Sequence, residues 1–164
     1  MSRAALAGLA ALAVVPAACG AEVVFDPSPF VGTWRGRWID ERGPRGSLDV
    51  EISEAAGSLV FACRVGGPGL WGRRPHEEQV LAEVRGGRAV FDGHRSELLG
   101  EVAGALDADG SLVVECEDVR GPARSLYGHG TWTPDELVAE VEVRYDDSLR
   151  TSRAVVELKR RSRD

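Results

Sequence analysis

The chain of 164 residues is poor in the groups that most local chemistry needs. It has three histidines, His76, His94 and His129, and no two are spaced i, i+2 or i, i+4, so no local metal chelate is written into it. The serine closest to His129, Ser125, lacks the Gly-x-Ser-x-Gly context of a nucleophile elbow. Asp107-Ala-Asp-Gly110 starts like a calcium loop but has neither the third acidic position nor the closing Glu, and reads instead as a hairpin turn. No basic stripe runs through the chain and the net charge is −6, which argues against nucleic acid as a partner. The segment from Glu97 to Val119 has no Lys or Arg at all and reads as a solvated acidic face. No repeat and no long internal linker divides the chain, so one domain is expected. These absences leave no catalytic residues, no metal and no cofactor to name, and the expectation is a protein that is not an enzyme.

Long apolar runs are also missing, with one exception. Arg3 is followed by an unbroken stretch of apolar and small residues from Ala4 to Ala18. A transmembrane helix needs about 20 apolar residues, so this run is short for a span. A charge, a short apolar stretch and small residues are the layout of a secretory signal peptide. Residues 1–18 are therefore expected to be an address, residues 19–29 a tether stiffened by Pro27 and Pro29, and residues 30–164 the folded domain.

Pro16-Ala-Ala-Cys-Gly20 resembles the lipobox of bacterial lipoproteins. The resemblance implies that Cys19 is lipidated, with acyl chains such as palmitate, and becomes the N-terminus of a membrane-anchored, extracytoplasmic protein in the periplasm or at the cell surface. Cleavage after Ala18 or Ala21 would instead give a soluble secreted protein. At the other end, Lys159-Arg-Arg-Ser-Arg163 reads as a solvated basic tail, with anionic lipid headgroups as the alternative contact.

The body of the chain alternates with period two between Gly and Asp turns. Trp34 and Trp38 share one face of the Phe30–Ile39 stretch, against Thr33, Arg35 and Arg37. Further strands are expected at 48–53, 58–65, 80–85, 88–91, 97–106, 111–119, 125–132, 137–145 and 153–160. Thr133-Pro-Asp-Glu136 fits a helix N-terminus, so one helical turn is expected before Leu137. Short strands with one charged face make an antiparallel sheet solvated on one side. Closing it into a single barrel of about 8–10 strands removes its edges. The fold class is therefore all-β.

Cys63 and Cys116 both fall on inward faces, and export permits a disulfide between them. The alternative is two inert core thiols. Other inward positions include Leu48, Val50, Ile52, Phe61, Leu98, Val102, Leu106, Val114, Val141, Val143 and Tyr145, almost none charged. They either enclose an apolar cavity or fill the barrel. Leu70 and Trp71, within the Gly-rich loop from Val65 to Arg74, read as a lid or a protein-contact anchor.

Val31-Gly-Thr-Trp-Arg-Gly-Arg-Trp38 resembles the opening strand of the calycin-type barrels, the lipocalins and their relatives. The resemblance implies that Trp34 lies across one end of the barrel beneath a late-strand arginine, Arg153 or Arg160. It further implies a hydrophobic small-molecule ligand, with Trp34, Trp38, Phe61, Trp71 and Tyr145 as lining or lid residues. Gly32-Thr-Trp-Arg-Gly36 is also similar to the start of nitrobindin-like haem barrels. Their later Gly and Tyr-Pro positions and late histidine are missing, so haem is not expected. Two other functions are consistent with the same residues. One is a periplasmic interaction module that inhibits a protease or lysozyme, and the other an envelope structural component.

Overall fold

The computed structural model describes residues 24–68, 74–146 and 150–161. Cys19 and the rest of the leader, Leu70, Trp71 and Arg163 lie outside the described residues. Ten strands follow one another: β1 (Gly32–Asp40), β2 (Arg45–Ala55), β3 (Ser58–Val65), β4 (His76–Arg85) and β5 (Arg88–Ser96), then β6 (Gly100–Asp107), β7 (Ser111–Glu117), β8 (Ala123–Trp132), β9 (Glu136–Tyr145) and β10 (Thr151–Arg160). Each strand pairs antiparallel with its chain neighbours. The ladder from Trp34↔Arg160 to Asp40↔Ala154 joins β1 to β10 and closes the barrel. The expected all-β antiparallel barrel is the fold observed, with ten strands.

The period-two pattern explains the closure. On β9, Leu137, Ala139 and Val143 are buried, while Val138 and Glu140 face out. Tight turns join the strands where residues accept positive φ. Gly86 (φ 58°) and Gly87 (φ 75°) make the two-residue β4–β5 turn. The helical turn expected at Thr133 does not form, and no helix occurs among the described residues. Trp132 and Leu137 are already paired in the β8–β9 ladder, so the capping groups close a hairpin instead. Thr133 N–H donates to the Glu136 carbonyl (2.8 Å), and Glu136 N–H donates to Thr133 Oγ1 (3.1 Å).

One seam is incomplete. The β4–β5 ladder spans only Glu83↔Val90 to Arg85↔Arg88, and a bulge interrupts β5 between Phe91 and His94. Beyond the ladder, side chains bridge the gap. His94 Nε2 lies 3.0 Å from the Gln79 carbonyl, and Glu78 Oε2 accepts from Leu98 N–H (2.9 Å).

The aromatic part of the core gathers at one end of the barrel. Trp34 is fully buried and meets Trp132 edge-on at 5.2 Å, and Phe61 packs on Phe91 (5.2 Å) and Trp132 (6.1 Å). Phe25 and Phe30, stacked at 5.7 Å, cover this cluster from outside the strands. A turn holds them there, with Phe30 N–H and Val31 N–H both donating to the Pro27 carbonyl. Residues 25–29 are therefore a plug on the domain rather than a free lead-in, because Phe25 has apolar surface to bury. The late-strand cation is Arg160. Its guanidinium lies 4.9 Å over the Trp34 ring and donates to the Pro29 carbonyl. The basic stretch at the C-terminus thus begins as strand, with Arg160 turned inward.

Candidate functional site

The opposite end is hollow. The ends of β1, β3 and β9 and the starts of β2, β4, β8 and β10 border a cavity of about 870 Å³. Its walls are apolar, formed chiefly by Trp38, Leu48, Val65, Leu126, Val141 and Val156. The Trp38 indole N–H donates to the Gly66 carbonyl (3.1 Å), so the ring offers the cavity no donor. Pro44, Gly67, Pro68 and Pro122 belong to the connecting loops around the mouth.

Polar groups collect at that mouth. Asp40 ends β1 with the same inward parity as Trp34 and Trp38, and is buried. Its carboxylate accepts from Ser152 Oγ (2.7 Å), from Arg42 N–H (2.8 Å) and from Arg42 Nε (3.1 Å). Burial pushes the Asp40 pKa up, but these donors outweigh it and hold the group below its ordinary value. The turn after Asp40 is fixed by Asp40 N–H to the Pro44 carbonyl and Gly43 N–H to the Asp40 carbonyl. Arg42 is thereby placed over the mouth. Its guanidinium donates to Tyr145 Oη and lies 5.1 Å from that ring, and the Arg150 guanidinium lies 5.4 Å from the same ring. Bonding to Asp40 and Tyr145 raises the Arg42 pKa further. Among the described residues, His76 and Asp146 are the other polar groups of the lining.

The sequence-predicted site residues separate into two groups. Trp38 and Tyr145 line the cavity. Trp34 and Phe61 do not, because each sits four residues toward the packed end from a lining residue, Trp38 and Val65 respectively. At about 3.3 Å per strand residue that is roughly 13 Å. Trp71 lies outside the described residues.

The expected Cys63–Cys116 disulfide is absent, and both thiols are free. They do turn inward, but β4, β5 and β6 stand between their strands, β3 and β7. A bridge needs Cα atoms within about 7 Å. Burial first, with nearby Glu78 for Cys63 and Glu117 for Cys116, pushes both thiol pKa values up to about 12. His94 is taken up in the seam. His129 sits on the outer face at 5.8 Å from Tyr127. Among the described residues no cluster of His, Cys, Asp and Glu could hold a metal. Nor does any described lining residue supply a serine, threonine or cysteine beside His76.

Sequence reading missed Asp40, Arg42, Arg150 and Ser152. The available signal was an acidic residue on an inward position, Asp40, with an arginine two residues on in the following turn.

No protein-family profile and no curated protein matches the chain. Solved structures do. A protein of unknown function of the DUF3598 family from Nostoc punctiforme superposes with a TM-score of 0.58 at 19% identity, over 84% of this chain and 50% of that one. This chain thus spans half the length of that protein. The S-type phycobiliprotein lyase CPES from Guillardia theta gives 0.55 at 10% identity, over 84% and 90% of the two chains. EF1p2_mFAP2b bound to DFHBI gives 0.50 at 12% identity, over 82% and 95%. At such identities the likeness establishes the fold alone.

Proposed function

We propose that this protein binds a small hydrophobic molecule inside the barrel and does no chemistry on it. The observation that carries the reading is the apolar-walled cavity of about 870 Å³ at one end of a barrel whose other end is densely packed. Drug-sized ligands occupy pockets of about 300–1,000 Å³ with apolar walls and a few placed polar groups. Two of the similar barrels, by their names, are a phycobiliprotein lyase and a barrel bound to DFHBI. They support a fold of this kind serving a small molecule.

The proposal includes an exported, membrane-tethered setting, with the acyl anchor at Cys19. The chain enters the domain at the packed end, through Phe25, and the mouth lies at the other end. On this reading the cavity opens away from the bilayer. If Cys19 is not the anchor, the same domain works as a soluble secreted carrier.

The direct test is uptake of an environment-sensitive apolar dye by the purified domain, followed by dye and tryptophan fluorescence. Saturable uptake is expected. Ala154→Trp, which fills the cavity from β10, should abolish it while leaving the β-sheet spectrum unchanged. A wild-type domain that takes up no dye overturns the reading. Intact mass of the protein processed in its own envelope tests the anchor, since acylation adds a discrete increment at Cys19.

A further inference from the structure

We propose that the occupant is a flat, fused aromatic ring system that packs against the Trp38 indole, in preference to a flexible acyl chain. The inference rests on the binding reading above and adds the class of the ligand. It stands on the apolar wall alone: the seat of Trp38, the proportions of the lining and its stiffness.

Trp38 is opposite Gly46 in the β1–β2 ladder. A Cβ at Gly46 would come within 2.5 Å of Trp38 Nε1 and 2.7 Å of its Cε2, so the indole occupies space that only a glycine leaves open. The Gly66 carbonyl fixes the ring from the next strand, accepting from Trp38 Nε1–H (3.1 Å) as well as from Ser47 N–H (3.0 Å). Gly67 closes the seat with φ +108°, and a Cβ there would stand 2.6 Å from Gly46 Cα. The indole therefore runs along the inner wall from β1 across β2 to the residue after β3, and does not reach across the barrel. Its surface away from Gly46 fronts the cavity. This is an aromatic surface set in place before a ligand arrives, with its one donor already engaged. Another π system complements it, stacked with an offset or edge to face.

The lining is broad and shallow. Its apolar side chains come from six strands that are consecutive around the barrel, from β8 through β9, β10, β1 and β2 to β3. At about 4.8 Å per strand that is roughly 24 Å of circumference at the backbone. Along the strands it is short. On β9 the apolar lining is Val141 and Val143, about 7 Å apart, and the next inward residue, Ala139, already belongs to the packed core. On β10 the same holds for Val156 and, below it, Leu158. A fused ring system fills such a space across its width. A single chain would leave much of the wall without partner atoms.

The wall is also stiff. Val65, Val141, Val143 and Val156 are β-branched, with few rotamers to exchange, and no Met occurs among the described lining residues. Such a wall does not remould itself around a flexible molecule, and a rigid ligand loses little conformational freedom on entering it.

The test compares three neutral alcohols on the same full domain: 1-pyrenemethanol, 1-hexadecanol and the saturated steroid androstanol. Each is titrated by displacement of the apolar dye, and affinities are divided by each alcohol's partition from water into alkane. On that scale pyrenemethanol should lead. Trp38→Leu should weaken pyrenemethanol roughly three- to tenfold more than it weakens the other two, the range that an aromatic pair contributes beyond its buried area. In the wild-type domain the Trp38 indole N–H resonance, assigned by its loss in Trp38→Phe, should show a ring-current shift with pyrenemethanol and little shift with hexadecanol or androstanol. That measurement needs no variant to bind. Equal losses in Trp38→Leu, or the same small shift with all three alcohols, overturn the aromatic contact while the cavity reading stands. A lead for hexadecanol overturns the ligand class. Dye uptake without binding of pyrenemethanol overturns this inference alone. Failure of the dye and of all three alcohols to bind overturns the cavity reading and this inference with it.

Discussion

The two ends of this barrel are built from the same alternation of inward and outward residues, yet one is solid and the other hollow. At the packed end the inward positions carry Trp34, Phe61, Phe91 and Trp132, and Phe25 and Phe30 close over them. At the hollow end they carry Val65, Val141, Val143, Ala154 and Val156, and then the polar pair Asp40 and Ser152. β1 contributes to both, through Trp34 and then Trp38. The difference teaches that parity decides which side chains enter a barrel, and their size at each level decides whether space is left. Aromatic rings bury large areas and fill a narrowing end. Valines and an alanine at the same radius cannot meet in the middle.

The sharpest way to break that comparison is to truncate the two β1 tryptophans. Trp34→Ala removes a fully buried ring, with its hydrogen bond to the Phe30 carbonyl and its contact with Arg160, and should cost about 3–5 kcal/mol. Trp38→Ala enlarges a space that already exists, and should cost about 1–2 kcal/mol. Urea unfolding of the two variants measures both. Equal losses would mean that the ends do not differ in packing.

A smaller effect separates two interior glycines. A Cβ at Gly36 would stand 1.8 Å from the Glu157 carbonyl oxygen, in backbone that closes the barrel, whereas at Gly128 the nearest atom is Val141 Cγ2 at 3.7 Å. Gly36→Ala should therefore lower stability by about 1–3 kcal/mol or more, and Gly128→Ala should be close to neutral, as thermal unfolding would report.

Smaller again is an acid effect confined to the open seam. Burial raises the Glu78 pKa, but bonds from Ser96, Leu98 N–H and Gln79 N–H outweigh it and leave it below its ordinary value of 4.5. The folded state thus binds this proton less readily than the unfolded chain. The contribution is whole above 4.5 and disappears as pH falls through the lower folded value. Amide exchange at Leu98 should accelerate in acid before that of packed-end amides such as Leu59. Glu78→Gln should remove the pH dependence at Leu98.

Much of the fold was legible in the sequence because its signal is local. The alternation marked a barrel of about 8–10 strands, and the observed bounds of its ten strands differ from the expected ones mainly by longer ends. The Gly32-x-Trp34 pairing with a late arginine was legible as far as two candidates, Arg153 and Arg160. Which of them caps the ring depends on the β1–β10 register, a pairing far apart in the chain. The site was less legible for the same reason. Tyr145 and Trp38 were found as inward aromatics. Asp40, Arg42 and Ser152 acquire meaning only when β1 and β10 meet. Residues expected to line the cavity, Trp34 and Phe61, have the right parity at the wrong level.

The two cysteines carry that limit furthest, and they give the prediction with the smallest expected effect. Parity turned both inward, and they are inward. It carries no information about where around the circumference a strand sits, and three strands separate β3 from β7. Free thiols with pKa values of about 12 are protonated at neutral pH and screened from reagents. Reduction of the folded protein should leave its melting temperature unchanged. A thiol reagent should label Cys63 and Cys116 only as fast as the barrel opens. Cys116 is the more deeply buried at 3% exposure, whereas Cys63 is half-buried, beside the incomplete β4–β5 seam through its partner Glu78. Cys63 should therefore react first if the seam opens without global unfolding. Equal labelling rates that track global unfolding would show instead that the hollow half and the packed half open together, and that the division between them is one of packing and not of stability.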